Sequence, residues 1–280
     1  MRGWPRRSVS FSVSVIRLFT PELVAAVSNA GGLGVLGAAR LAPDELRQAI
    51  RAIRALTDQP FGVNFLLAPP EHNRQDVKMV QRILDRFRHE LALPDGSDQV
   101  TLPPSRLAQQ MQVVFDERVP VLSIGLGDPR HWIAAAHTAG ARVIAMVTTV
   151  AEAKQVVDGG VDAVVAQGAE AGGHRSTFVL DPQGEVPLIG TFARVSQVVD
   201  AVSVPVVAAG GIADGHGLVA ALALGAAGVQ LGARFLVARE SGIFPSYQDR
   251  LLSATEADTV VTRAFTGRPA RSLRNRFVEQ

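Results

Sequence analysis

The chain has 280 residues, 47% of them hydrophobic, and no cysteine, which excludes disulfides, thiolate nucleophiles and cysteine-ligated metals. Its formal net charge is only +2, and its isoelectric point is high because nearly all basic residues are arginine, so the composition indicates no nucleic-acid partner. Charged residues make up 19% and glycine and alanine are abundant, which favours a globular α/β protein over a disordered or coiled-coil chain.

The beginning of the chain carries a strand pattern. Residues 1–20 contain four arginines and no acid, as a targeting peptide would, but residues 9–16 alternate valine, phenylalanine and isoleucine with Ser10, Ser12 and Ser14. This alternation predicts an opening strand, with a cleaved or irregular leader as the alternative. No apolar run reaches the roughly 18 to 20 residues that span a bilayer, so we expect no membrane segment and a cytoplasmic location.

Strand and helix patterns then alternate along the chain. Thr20 followed by Pro21 and Glu22 predicts a helix start, and Pro43 followed by two acids predicts another. Between the third and fourth strands, residues 69–104 break the alternation and are predicted to be an insertion with a helix over 77–91. The predicted strands are 9–16, 33–36, 61–67, 119–124, 142–147, 163–165, 204–208 and 227–231; further helices are expected at 129–138, 150–157, 192–201 and 217–224.

Eight strands, each followed by a helix or loop, predict a (β/α)₈ TIM barrel formed by residues 1–280 as a single domain. Active residues would then lie at the carboxyl ends of the strands. A doubly wound open sheet is the structural alternative, but no Gly-x-Gly-x-x-Gly follows the first strand.

The strongest chemical signal follows the predicted strand 163–165. The run Gln167-Gly168-Ala169-Glu170-Ala171-Gly172-Gly173-His174 places glycines and an imidazole where a strand gives way to a loop. Glycine lets backbone approach a flat or charged ligand closely, because it has no Cβ. A lone histidine is ordinarily structural, but its place behind a glycine pair makes His174 a candidate catalytic residue.

Two glycine-rich turns supply a second signal. Gly210 and Gly211 follow the seventh predicted strand, and Gly232 follows the eighth, with Arg234 nearby. Backbone N–H groups in such turns can bind an anion, and barrels commonly bind phosphate after these two strands. Tight packing at barrel corners is the alternative interpretation.

Together these segments resemble a known family. The run from Gln167 to Arg175, the Gly210-Gly211-Ile212 turn, Val229-Gln230-Leu231-Gly232 and the run 267–271 are similar to nitronate monooxygenases, whose superfamily includes flavin-dependent enoyl-acyl-carrier-protein reductases. The resemblance covers about residue 20 to the C-terminus. It implies a TIM barrel that binds FMN non-covalently, with His174 as the catalytic base or a group that polarises the substrate.

The resemblance also implies roles for single residues. The implied cofactor-binding set has Asn64 and Gln167 on the isoalloxazine ring or ribityl chain, Gly168, Gly172 and Gly173 on the flavin face, Gly210, Gly211 and Gly232 around the phosphate, and Gln230 and Ala233 beside them. Ala233 stands where the family usually has threonine or serine, so one hydroxyl contact to phosphate is missing. Residues 8–19 share nothing with the family's usual first strand.

The implied activity is oxidation of a small nitronate or nitroalkane by O₂ to a carbonyl compound and nitrite. An NAD(P)H-dependent flavin reductase acting on an enoyl thioester or quinone would share these motifs, and a non-redox phosphate-binding barrel or an inactive barrel are further alternatives. A homodimer is possible. The other histidines lack metal-ligand spacing, so we expect no metal site. The arginine-rich segment 263–276 is expected to be a solvated surface tail, with contact to an anionic substrate or to the flavin phosphate as the alternative.

Overall fold

Seven parallel strands form one curled sheet in the computed structural model, which describes residues 20–67, 77–97 and 104–279. In sheet order, these strands are β1 (Gly34–Gly37), β2 (Phe61–Leu66), β3 (Val121–Gly125), β4 (Arg142–Val147), β5 (Ala163–Gln167), β7 (Val206–Ala209) and β8 (Gly228–Gln230). A separate three-stranded sheet consists of the short strand β6 (Gly173–His174), β9 (Thr259–Thr262) and β10 (Ala270–Leu273), with β10 in the middle.

Helices connect these strands and begin at sequence-encoded caps. The Thr20 hydroxyl accepts a hydrogen bond from Leu23 N–H at 3.2 Å to start the first helix, and Thr149 and Glu152 form a capping box on the sixth. The helices are α1 (Pro21–Asn29), α2 (Pro43–Leu56), α3 (Val77–Glu90), α4 (Leu107–Asp116), α5 (Arg130–Thr138), α6 (Val150–Asp158), α7 (Thr191–Ala201), α8 (Gly215–Ala223), α9 (Ala233–Leu236) and α10 (Pro245–Ser253).

The strand order identifies a TIM-barrel-like fold. Neighbouring strands in the main sheet follow one another along the chain in a single direction, whereas a doubly wound sheet reverses its order at a switch point. The predicted (β/α)₈ class is therefore confirmed as TIM-barrel-like. The opening strand predicted at 9–16 lies outside the described residues.

Successive side chains along each strand point to opposite faces of the sheet. The face towards the helices packs Val63, Leu122, Ala145 and Val164 into the main hydrophobic core. The opposite face carries a smaller apolar cluster, Leu33, Val35, Val121, Ile144, Met146, Ala163, Val165, Val207 and Ala209. This second cluster fills the inside of the curl below its carboxyl-end rim.

Two segments differ from the sequence expectations. Helix α4 was not predicted, although Leu107, Met111 and Val114 are spaced to share one helix face; its buried Gln110 donates to Ala38 O at 3.1 Å. The expectation of a solvated tail over 263–276 is wrong, because β10 lies in this segment and pairs antiparallel with both β9 and β6. The helix predicted within the insertion is confirmed by α3.

The junction of α1 and β1 yields a stability prediction. A Cβ atom built on Gly34 would lie only 2.1 Å from Val24 O of α1, so the helix packs where only glycine fits. We expect Gly34→Ala to lower the free energy of unfolding by about 1 to 3 kcal/mol, because the helix has to move away. Urea denaturation followed by circular dichroism measures this change.

Gly215→Ala is the matched control. A Cβ on Gly215, the first residue of α8, meets nothing within 4 Å, so we expect no loss of stability. Equal unfolding midpoints for the Gly34 variant and the control would contradict the close approach of α1.

Candidate functional site

Polar side chains occupy the inside of the curl near the carboxyl ends of the strands. Asn64 pairs in register with Ser123, and Gln167 and Gln230 both pair with Ala209. Asn64, Ser123 and Gln167 lie two residues beyond apolar or glycine positions of the same inner face, so strand alternation points them inward. The sequence-predicted Asn64, Gln167 and Gln230 are therefore brought to one rim.

Asn64 is buried with half of its carboxamide unpaired. Its side chain is 2% exposed, and Nδ2 donates to the carbonyl oxygen and the hydroxyl of Ser123, both at 3.1 Å. The Oδ1 atom has no hydrogen-bond partner among the described residues. A buried acceptor without a donor costs about 1 to 3 kcal/mol, so this atom is suited to receive a hydrogen bond from a ligand.

Gln167 ties the end of β5 to the loop that follows it. Its Nε2 donates to His174 O at 2.9 Å, and its Oε1 accepts from Ser176 N–H at 2.9 Å. Its backbone carbonyl accepts from the guanidinium of Arg175 at 3.1 Å. Both ends of the carboxamide are thus used within the protein, which makes Gln167 the residue that positions the His174 loop. Its predicted contact with a cofactor stays a prediction.

His174 lies half-buried on β6, above the rim of the sheet. Its Nε2 is 2.8 Å from Thr266 Oγ1, and its Nδ1 is buried without a hydrogen-bond partner in the described part of the chain. Burial lowers the pKa of His174 below its ordinary value, and the positive charges of Arg268 and Arg40 lower it further. The imidazole is therefore neutral near pH 7 and is able to accept a proton.

Buried guanidinium groups surround this loop. Arg175 and Arg194 are each 1% exposed, and two nitrogens of each have no partner within the described ranges. Burial and the charges of Arg194 and Arg271 lower the pKa of Arg175 to about 10, so it remains cationic at neutral pH. The nearby acid, Glu152, is saturated by donors from Thr148, Thr149 and Phe178. The region therefore favours anions.

The glycines of the loop after β5 have distinct roles. A Cβ on Gly168 would lie 2.0 Å from Thr191 Oγ1, so this glycine is required by the approach of α7 and its predicted place on a flavin face is untested. A Cβ on Gly172 would meet no protein atom within 4 Å, which leaves open space beside the loop. Gly173 has a φ of 81°, a left-handed conformation that favours glycine.

The two glycine-rich turns lie side by side, because β7 pairs with β8. Gly210 and Gly211 have φ values of 118° and 67°, and Gly232 precedes Ala233, the first residue of α9. Within the described ranges, no turn or loop hydrogen bond to a backbone carbonyl is made by the N–H groups of Gly210, Gly211 and Gly232. Backbone donors at the carboxyl edge of a sheet can bind an anion. The N-terminus of α8 is already capped by the carboxylate of Asp214.

Sequence reasoning missed several residues of this region. Ser123 pairs with Asn64. Its position in β3, two residues after the inward-facing Val121, is the signal that could have identified it. The sequence pattern assigns no role to Thr191. Its N–H and hydroxyl groups donate to the Glu170 carboxylate at 2.9 and 2.7 Å, so Glu170 holds the loop to α7. Thr266 approaches from far along the chain, and no local pattern marks it.

In the described ranges, no three histidine, aspartate or glutamate side chains lie close enough together to hold a metal ion. No helix among the described residues is both long and apolar enough to cross a membrane.

Comparison with known proteins assigns the family. Residues 13–280 match the family model of nitronate monooxygenase. A probable nitronate monooxygenase of Staphylococcus aureus strain Newman is 39% identical over 263 residues, which are 93% of this chain and 74% of that protein.

Two solved structures are similar to the fold described above. A nitroalkane oxidase from Streptomyces ansochromogenes superposes with a TM-score of 0.87 at 38% identity, over 96% of this chain and 78% of that one. FabK from Thermotoga maritima has a TM-score of 0.78 at 36% identity, over 98% and 73%. The loop from Gln167 to His174, the inner rim and these matches lead to one conclusion: the chain belongs to the nitronate monooxygenase family.

Proposed function

We propose that the protein is an FMN-dependent nitronate monooxygenase, which oxidises alkyl nitronates with O₂ to carbonyl compounds and nitrite. The observation that carries this proposal is the environment of His174. A neutral imidazole, with its pKa lowered by burial and by Arg268 and Arg40, lies at the carboxyl edge of a TIM-barrel-like sheet. A proton acceptor beside positive charges is suited to a substrate that becomes an anion when it loses a proton.

The residues at the rim fit a flavin mononucleotide. The Oδ1 atom of buried Asn64, which accepts no hydrogen bond within the described part of the chain, is an acceptor for a ring or ribityl donor, and the N–H groups of Gly210, Gly211 and Gly232 are donors for a phosphate. Ala233 offers no hydroxyl to that phosphate. Compared with the threonine or serine usual at this position in the family, one neutral hydrogen bond worth about 0.5 to 1.5 kcal/mol is missing. The remaining donors still support binding of the cofactor.

The bound flavin would supply electron transfer between the electron-rich nitronate and O₂. The protein's own residues bind and orient the substrate and handle its proton. The guanidinium groups of Arg268 and Arg40 stabilise the negative charge of a nitronate near His174. With a neutral nitroalkane, the imidazole of His174 first removes the acidic α-proton. Gln167 keeps this imidazole in place through the loop backbone.

Replacement of His174 separates proton abstraction from oxidation. We expect His174→Gln to lower turnover of neutral nitroethane by about 10²- to 10⁴-fold, because the general base is lost. Turnover of the preformed nitronate should fall much less, since its proton is already gone. Nitrite release measures both rates, and the visible absorbance of the purified variant reports whether the cofactor is retained.

His131→Gln is the matched control, because His131 is exposed on the outer helix α5. It should leave both rates unchanged. Equal losses of nitroethane and nitronate turnover in His174→Gln would contradict the role of His174 as a base.

The charge of Arg268 should appear in the pH profile. The acid limb of kcat/KM for nitroethane is expected at a pKa below the ordinary histidine value of 6.5, since His174 has to be neutral to act. Arg268→Gln removes a cation that lowers this pKa, so the limb should move to higher pH. Arg268→Lys keeps the charge and should leave the limb near its wild-type position. A limb that is identical in all three proteins would refute electrostatic coupling between Arg268 and His174.

The similarity to FabK supports a second candidate, an NAD(P)H-dependent flavin reductase acting on an enoyl thioester or a quinone. The two activities differ in what reduces the flavin. In separate anaerobic cuvettes, a monooxygenase loses its flavin bands with an added nitronate and keeps them with NADH. A reductase shows the opposite result, and a colourless purified protein would favour a non-redox or inactive barrel.

A further inference from the structure

One buried hydroxyl group connects the loop after β5 with the glycine turn after β7. It belongs to Thr191, the first residue of α7. The hydroxyl donates to the Glu170 carboxylate at 2.7 Å and to Gly210 O at 3.0 Å. A hydroxyl has a single hydrogen, so the two acceptors share it in a three-centre hydrogen bond. The N–H group of Thr191 donates to the same carboxylate at 2.9 Å and fixes the residue in place.

Two glycines allow the loops to close around this hydroxyl. A Cβ built on Gly210 would lie 2.8 Å from Thr191 Oγ1 and 2.9 Å from the backbone nitrogen of Ala171. A Cβ on Gly168 would lie 2.0 Å from the same Oγ1 atom. Side-chain carbons do not approach other atoms so closely. The hydroxyl is therefore enclosed between the two loops, at a place where neither loop can carry a side chain.

The contact with Gly210 O fixes the direction of the next N–H group. The carbonyl of Gly210 and the N–H of Gly211 belong to one peptide unit, and the described residues contain no cis peptide bond. In a trans peptide these two groups point in opposite directions. Because Thr191 holds the carbonyl towards α7, the Gly211 N–H group points away from α7. This N–H makes no turn or loop hydrogen bond to a backbone carbonyl of the described chain.

The backbone of the turn does not select this orientation by itself. Gly210 and Gly211 have φ values of 118° and 67°, and glycine adopts positive and negative φ about equally well. Neither residue has a side chain that opposes a flip of the peptide unit between them. The flipped unit would present the carbonyl oxygen of Gly210 in place of the Gly211 N–H, and a carbonyl oxygen repels an anion. The hydroxyl that holds the carbonyl therefore decides which group the turn presents.

We propose that Thr191 is a positioning residue, whose hydroxyl orients the Gly210–Gly211 peptide unit so that the Gly211 N–H donates to the phosphate of FMN. This inference rests on the proposed function, which supplies the FMN. Glu170 contributes by fixing Thr191 through its N–H and hydroxyl groups. The effect of Thr191 is confined to the affinity for the phosphate group, because its hydroxyl is enclosed between the loops.

Comparison of FMN with riboflavin, which lacks the phosphate, isolates this contact. Thr191→Val keeps the side-chain shape and removes the hydroxyl. We expect it to raise the Kd for FMN on the order of tenfold, the effect of one lost hydrogen bond, and to leave the Kd for riboflavin unchanged. Thr191→Ser should restore the FMN affinity. Quenching of flavin fluorescence by the full-length, flavin-free chain measures both constants.

A merely structural role of Thr191 predicts a different result. It would weaken FMN and riboflavin equally and lower the thermal midpoint of the flavin-free chain, and this outcome would overturn the proposal. Glu170→Gln is the matched control. Its amide oxygen can still accept from the Thr191 N–H, and the hydroxyl can still donate to Gly210 O, so the ratio of the two Kd values should stay at the wild-type value. A loss of FMN affinity equal to that of Thr191→Val would assign the effect to Glu170 instead.

The direction of the Gly211 N–H group is also measurable in the wild-type chain. Glycine labelled with ¹³C at the carbonyl and with ¹⁵N limits an amide spectrum to glycines that follow a glycine, which are Gly32, Gly160, Gly173 and Gly211. We expect one amide proton to move downfield with FMN and not with riboflavin, and this difference to disappear in Thr191→Val. Amides that respond alike to both flavins in the wild type would refute donation by Gly211.

The inference and the proposed function fail separately. If the protein releases no nitrite but loses its preference for FMN over riboflavin in Thr191→Val, the proposed function is wrong and the role of Thr191 stands. If nitrite is released and Thr191→Val keeps the wild-type ratio of Kd values, the function stands and the role of Thr191 is refuted. A wild-type chain that binds FMN no more tightly than riboflavin also refutes it.

Discussion

The arrangement of the site depends on how one buried carboxamide satisfies its hydrogen bonds. Gln167 is 3% exposed, so both ends of its side chain need partners inside the protein. It finds them in the backbone of His174 and Ser176, which fixes the loop above the end of β5. The short strand β6 at the end of that loop pairs antiparallel with β10. Through this chain of contacts, a parallel strand of the main sheet determines where a hairpin from the C-terminal region can lie.

Positive charge is the second constraint on the site. Arg175 and Arg194 are buried in the same region, and an uncompensated buried cation is costly in free energy. Glu152 is close enough for its charge to favour the charged forms of both arginines. Further out, Arg268 and Arg40 act on His174. The region above the sheet therefore places cations around a neutral imidazole, and this arrangement is the basis of the proposal that the substrate is a nitronate.

The glycines of these glycine-rich runs occupy their positions for different physical reasons. Gly168 is needed because α7 packs against it through Thr191, whereas Gly172 borders open space. Gly173 and Gly210 have left-handed backbones. A glycine-rich run thus predicts that a backbone comes close to something, but it does not say whether the neighbour is a helix, a ligand or solvent. Only the neighbours in three dimensions separate these cases.

The sequence by itself determined the alternation of strands and helices, the TIM-barrel-like class and the importance of the loop from Gln167 to His174, because these follow from local periodicity and from a contiguous motif. It also marked Asn64 as a polar residue in a buried strand. The tertiary structure alone decided that the segment 263–276 forms part of a hairpin and that Thr266 reaches His174. Antiparallel pairing between strands as distant in the chain as β6 and β10 leaves no periodic trace in either partner, since each backbone supplies the same N–H and C=O groups whatever its sequence.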